Sequence, residues 1–257
     1  MEEIMKVLIT GASSGIGRDI AREFAKKNYE IILVARNIEK LENLKKELID
    51  NYKVKVEYLS VDLSNRVSCI NLHQKVKDID VLVNNAGLGD FGNFSKTDIE
   101  KDLTIIDTNI VAMHILTKLY LQDMKEKDSG KILNVASIAG FLPGPLMATY
   151  YASKNYVVRL SEAIREELRK EKSNVKISIL CPGPVRTNFN NVANVKFEIS
   201  SLSSEYVAQY AVNKLLKNKF YIVPGFQIKC TKFFSKIVPT PILAKCTYHM
   251  QKRKEGK

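Results

Sequence analysis

Residues 147–154 read Met-Ala-Thr-Tyr-Tyr-Ala-Ser-Lys, with two adjacent tyrosines just ahead of a lysine. Residues 149–172 carry a helical pattern, with Ala152, Val157, Leu160, Ala163, Ile164 and Leu168 at apolar positions. On a helix, residues four apart share a face. Tyr150 and Lys154 are therefore neighbours, whereas Tyr151 points roughly 100° away. Tyr150 is the reactive candidate and Tyr151 a packing residue. A free phenol titrates near ~10. A nearby ammonium favours the phenolate and lowers that value, which would let Tyr150 pass protons to a carbonyl oxygen or take them from an alcohol. Ser137, thirteen residues earlier at the end of a strand-like run, could hold the same oxygen.

A second chemical signal lies near the N-terminus. Thr10-Gly11-Ala12-Ser13-Ser14-Gly15-Ile16-Gly17 follows an apolar run and leads into a helical pattern. Glycines allow close backbone approach and positive φ, and a helix N-terminus offers free N–H groups to an anion. The same residues also match the G-x-S-x-G nucleophile elbow, with Ser13 as nucleophile. That hydrolase reading needs a partner histidine. His73 and His114 fall in helical runs and His249 in a basic tail.

These groups need a scaffold. Strand-like runs occur at 6–10, 30–35, 54–60, 80–84, 131–136, 175–180 and 220–223, with helical patterns between them. Seven strands alternating with helices imply a doubly wound Rossmann-type parallel α/β sheet with helices on both faces. Ligands then sit beyond the carboxyl ends of the strands. The second strand ends at Ala35-Arg36, with no carboxylate to accept from an adenine ribose; Arg36 can pair with a 2′-phosphate, which points to NADP(H), with NAD(H) as the second choice. Asp62, after the third strand, could accept from an adenine amine or start the next helix with Ser64 as its N-cap. Asn84 and Asn85 could face a ligand or only cap the fourth strand.

Taken together, Thr10–Gly17, Asp62, Asn84-Asn-Ala-Gly87, Asn109, Ser137, Tyr150-x-x-x-Lys154 and Pro182-Gly-Pro-Val-Arg-Thr187 closely resemble the short-chain dehydrogenases/reductases. The resemblance implies a catalytic tetrad of Asn109, Ser137, Tyr150 and Lys154, with Asn109 holding a water that links the lysine to solvent. It implies cofactor contacts at Gly11, Ser13, Ser14, Gly15, Ile16, Gly17, Arg36, Asp62, Leu63, Asn85, Ala86, Gly87, Tyr150, Lys154, Pro182, Gly183, Val185 and Thr187. NADP-using members often carry a basic residue where this chain has Ser14, so the NADP(H) expectation rests on Arg36. A homodimer or homotetramer is the implied assembly. A cofactor-binding regulator on the same fold is the non-catalytic alternative.

The chain has 257 residues, 45% hydrophobic and 26% charged, and reads as one catalytic domain over 1–225 with a substrate lid at about 188–215. Within the lid, Asn188, Phe189, Val192, Val195, Phe197 and Ile199 form a fairly apolar cover, and Phe141, Leu142, Pro143, Leu146 and Met147 are pocket candidates. An apolar carbonyl or secondary alcohol is the expected substrate. No run approaches the ~20 apolar residues of a membrane span. The four cysteines form no C-x-x-C pair, so no metal site is expected, and free thiols fit a cytoplasmic protein. The net charge of +12 is concentrated in residues 226–257, which hold seven Lys and one Arg against one Glu. No nucleic-acid-binding signature accompanies it. The tail mixes these cations with Phe233, Phe234, Ile237, Val238, Ile242 and Leu243, which suits a helical cover on the domain or a peripheral membrane contact.

Overall fold

The computed structural model describes residues 4–187, 189 and 201–252. Seven strands form one sheet: β1 (Lys6–Thr10), β2 (Glu30–Ala35), β3 (Val56–Ser60), β4 (Val81–Asn84), β5 (Lys131–Val135), β6 (Lys176–Leu180) and β9 (Tyr221–Ile222). Their order is β3-β2-β1-β4-β5-β6-β9, and every pair is parallel. The chain leaves β1 towards β2 on one side and later returns to lay β4 on the other. The order therefore reverses at β1/β4, where such sheets bind ligands. A two-residue pair, β7 (Val185–Arg186) with β8 (Leu202–Ser203), stands apart from the main sheet.

Strand sequences explain their central place. In β1 and β2, residues 7–10 and 31–35 are all buried, as strands covered on both faces require. On one face pack α1 (Gly15–Ala25), α2 (Ile38–Tyr52) and α7 (Ser204–Leu216); on the other, α3 (Arg66–Lys75), α5 (Met113–Glu126) and α6 (Ala148–Lys170). Between β4 and α5 run α4 (Ile99–Ile106) and a π-helical segment, Asp107–Ala112. Two further helices follow: α8 (Phe226–Phe234) and α9 (Thr240–Lys252).

The expected lid divides. Asn188, Val192, Val195, Phe197 and Ile199 lie outside the described residues. Its later part is α7, whose Val207, Ala208, Ala211, Val212 and Leu215 are fully buried against the α1 side of the core. That stripe belongs to the scaffold rather than to a cover. The tail is also more integrated than its charge suggested. Ile228 of α8 packs where a Gly183 side chain would stand, and Thr247 of α9 donates to the Pro143 carbonyl at 2.8 Å.

Candidate active site

The first turn is built for close approach. Gly11 has φ +64, and a Cβ there would stand 2.8 Å from the Ala86 Cα. Gly15 has φ +54, and its missing Cβ leaves room for Thr187. Ser14 caps α1 without any side-chain bond to the first turn, so the N–H groups of that turn remain available to an anion. Gly17 faces inward instead, because a Cβ would collide with Asn85 Nδ2 and the Gly11 carbonyl. Gly17 is thus a packing glycine rather than part of the cleft wall.

Asn84 and Asn85 work as braces. Asn85 Nδ2 donates to the Thr10 and Gly11 carbonyls at 3.0 and 3.1 Å, while Thr10 Oγ1 accepts from Asn85 N and Ala86 N. Asn84 Nδ2 donates to Thr117 Oγ1 and Asn134 Oδ1 deep in the core. The Asn85 side chain holds the glycine turn against β4, and Asn85, Ala86 and Gly87 line the cleft. Asp62 accepts from Ser64 N and Oγ at 3.0 and 2.8 Å. Those bonds, with a smaller contribution from Arg36, hold its carboxyl below the usual range. Ser64 does not cap the next helix. Asn65 does, accepting from Ser68 N at 3.0 Å.

The candidate catalytic end forms where β5 meets α6. Ser137 Oγ accepts from Ala139 N at 3.2 Å and opens a short 3-10 turn, Ile138–Phe141. Gly140 lets this turn close onto α6, since a Cβ would stand 2.7 Å from the Lys154 carbonyl. Asn155 staples the junction by donating to the Ala139 and Leu142 carbonyls at 3.0 and 3.1 Å. Ser137 is thereby brought close enough to Tyr150 for its hydroxyl to favour the phenolate. Lys154 is only 5% exposed and donates to the Val135 carbonyl at 3.0 Å. Burial lowers its pKa to about 8.

Tyr150 differs from the sequence expectation. Its phenol is pushed above the ordinary value by burial, and the neighbouring Ser137 hydroxyl offsets only part of that. Lys154 Nζ lies 5.8 Å from the Tyr150 ring centre and does not pull the phenol down. The desolvation of the whole site outweighs the ammonium. Tyr151 is buried with Ala139, Leu142 and Met147, as a packing residue should be. Its hydroxyl accepts from Gln251 Nε2.

Asn109 sits in the π-helical segment and is 2% exposed. Its amide donates to the Leu88 carbonyl and to Ser153 Oγ, both at 2.9 Å, and its oxygen accepts from Leu88 N at 2.8 Å. The side chain ties the loop after β4 to α6, beside the vacancy where a Gly87 side chain would meet Lys154 Nζ and Asn109 Oδ1. Both amide hydrogens are used by protein groups, while Oδ1 accepts one bond and keeps a second acceptor site on the side of that vacancy.

One cleft of about 650 Å³ joins these parts. It runs from Arg36 and Asp62 past Ser13, Ser14, Gly15 and Ile16 to Ser137, Tyr150 and Lys154. Leu63, Pro182, Gly183, Val185 and Thr187 line it as well. Gly17 and Asn109 stand behind the wall. Of the apolar pocket candidates, Leu142 and Met147 line the cleft with Phe189, whereas Phe141, Pro143 and Leu146 do not. The tail residues Gln227, Ile228, Thr231, Met250 and Gln251 also line it; the sequence reading missed them because the tail's cations dominated its pattern. No histidine lines this cleft: His73 bonds Asp123 and His114 bonds Tyr156. Ser13 therefore has no histidine base within the site, which the hydrolase reading requires. Among the described residues there is no cluster of three metal-ligating side chains.

A family profile described as short chain dehydrogenase matches residues 5–196. The NADP-dependent 3-hydroxy acid dehydrogenase of Schizosaccharomyces pombe is 37% identical over 193 residues, covering 72% of this chain and 73% of that protein. A short-chain dehydrogenase from Sphingobium yanoikuyae, solved in complex with NADPH, superposes with a TM-score of 0.82 at 28% identity, covering 87% of this chain and 89% of the other. A short-chain dehydrogenase/reductase from Burkholderia phymatum, solved with NAD, shares the fold at a TM-score of 0.82 and 24% identity, covering 90% and 92%. The chain spans between 56% and 82% of the length of curated relatives it matches. It belongs to the short-chain dehydrogenase/reductase family and is an oxidoreductase of the NAD(P)-binding, CH–OH-acting kind.

Proposed function

We propose that this protein interconverts a carbonyl and a secondary alcohol on an apolar small molecule, with NADP(H) as the preferred cofactor and Tyr150 as the general acid/base. The observation that carries this is the single cleft with a phosphate-type glycine turn at one end and Ser137, Tyr150 and Lys154 at the other. The residues fit a dinucleotide. Gly11 and Gly15 leave the turn bare, α1 keeps its first N–H groups free, and Arg36 stands exposed at the far end, near Asp62 but in no ion pair with it.

A bound nicotinamide would supply or accept the hydride. Ser137 holds the substrate oxygen, and Tyr150 gives it a proton or takes one from it. Lys154, with a pKa near 8, can release and regain a proton close to neutrality and balance the phenolate. Asn109 fixes the α6 face that carries both groups. Thr187 and the Pro182–Gly183 turn close the cleft over Gly15.

The apolar substrate end agrees with the surface around it. Phe226 and Phe233 of α8 are 80% and 61% exposed, and Phe234, Ile237 and Ile242 are exposed beside Lys229, Lys236 and Lys245. Apolar side chains ringed by lysines suit the surface of an anionic membrane, and the opposite side of α8 lines the cleft. No described helix is long and apolar enough to cross a membrane. A cytoplasmic homodimer or homotetramer that touches membrane peripherally is the corresponding assembly. Co-sedimentation with anionic vesicles, lost in Phe226→Ser/Phe233→Ser, checks the contact.

The cofactor reading is tested by fluorescence titration with NADPH and with NADH. NADPH should bind at least about tenfold tighter, and Arg36→Ala should erase that difference while leaving NADH binding in place. Equal binding of both by the unaltered protein would contradict the preference.

A further inference from the structure

Gln251 is 1% exposed, lines the cleft, and has an Oε1 atom with no hydrogen-bond partner. A buried amide oxygen left unpaired is costly, and such groups point to a missing partner. Its Nε2 donates to the Tyr151 hydroxyl. That hydroxyl keeps its own proton, because burial pushes the Tyr151 phenol up to about 12. Among the described residues, the hydroxyl donates no hydrogen bond of its own in this orientation of the amide.

Both side chains are held in place. The Tyr151 ring occupies the space that any Cβ at Gly144 would need. The Thr247–Pro143 bond pins α9 one turn before Gln251. The Tyr151 ring also meets the Tyr150 ring at 6.0 Å between centres, in an edge-to-face arrangement. The pair therefore adjoins the reactive phenol.

We infer that Tyr151 and Gln251 form a second polar anchor, which takes a substrate hydroxyl placed close to the reacting carbonyl. The substrate oxygen accepts from the Tyr151 hydroxyl and donates its own proton to Gln251 Oε1. If the Gln251 amide is turned over, its Nε2 becomes the free donor and the Tyr151 oxygen the free acceptor, so the requirement is the same. The ligand group must both donate and accept. The cationic residues lining the cleft are Arg36, Lys40 and Lys154, and none belongs to this pair, so a neutral hydroxyl suits it better than a carboxylate. This inference rests on the carbonyl-reductase reading above and adds a substrate feature to it.

The test uses the full-length protein with NADPH and a matched series of aryl ketones: acetophenone, and analogues carrying a hydroxyl on the carbon next to the carbonyl or on the one beyond. The readout is the ratio of kcat/KM for hydroxylated over plain ketone, compared between wild type and variants, which cancels intrinsic reactivity. The expected ratio favours the better hydroxyketone, and Gln251→Met should shrink it by at least about tenfold. Tyr151→Phe should shrink it likewise, which keeps the test open if one variant folds poorly. An unchanged ratio in both variants would mean that the pair only braces α9 against α6, and would overturn the inference while leaving the reductase reading intact. Turnover of no ketone at all would overturn both.

Discussion

Lys154 Nζ lies 5.8 Å from the centre of the Tyr150 ring, one turn along the same helix, and both groups titrate away from their ordinary values because the site is dry. The phenol moves up and the ammonium moves down. Each shift favours the neutral form, so the pair is poised to hand over a proton rather than to hold charges apart.

Lys154 should therefore weaken the fold while serving the chemistry. Its pKa is about 8 in the folded chain, against roughly 10.4 for a free lysine. Below pH 8 both folded and unfolded chains bind the proton, and the burial penalty is fully present. Between about pH 8 and 10.4 the folded chain releases a proton that the unfolded chain still holds, so stability contributed by this group rises with pH. Lys154→Met should raise stability at pH 7 by about 1–3 kcal/mol and cut turnover by at least ~10²-fold. Urea midpoints measured from pH 7 to 10 should show the gap between variant and wild type closing as pH rises. A destabilised Met variant would contradict this.

The raised Tyr150 phenol sets the direction of the pH–rate profiles. Alcohol oxidation needs the phenolate, so its rate should climb with pH through the neutral and mildly alkaline range. Carbonyl reduction uses the protonated phenol and should stay level through neutrality. Initial rates in both directions on one ketone–alcohol pair check this. An oxidation rate already flat at pH 6 would mean that the phenol is depressed rather than raised.

Asn109 should behave as a positioning residue. Asn109→Ala removes both partners of the Leu88 backbone and the donor to Ser153. The expected cost is about 1–3 kcal/mol in stability, with a fall in kcat larger than any change in NADPH affinity. Thermal unfolding with a single-turnover assay separates the two. Unchanged kcat would remove Asn109 from the account.

Much of this was legible in the chain. The all-parallel sheet followed from continuous apolar runs such as Ile31–Ala35, and the i, i+4 spacing chose Tyr150 over Tyr151 on geometry alone. What stayed hidden depends on tertiary contact. Asn85 lines the cleft as a ligand contact should, but nothing in the sequence told that its amide also bonds the Thr10 and Gly11 carbonyls. Gly17 looked like part of a phosphate cradle but packs on Asn85. The direction of the Tyr150 shift could not be read, because desolvation depends on everything around the ring. Gln251 gave no signal, since a glutamine in a lysine-rich helix reads as solvated surface, and only the return of α9 over Tyr151 buries it.

The most direct measurement is NADPH-dependent reduction of a ketone by the wild-type protein and by Tyr150→Phe, with NADPH binding titrated for both. Wild type should turn over, and the variant should bind NADPH with an unchanged Kd yet lose at least about 10²–10⁴-fold in turnover. A Tyr150→Phe variant that keeps wild-type turnover would contradict the assignment of Tyr150 as the proton donor, and with it the central claim.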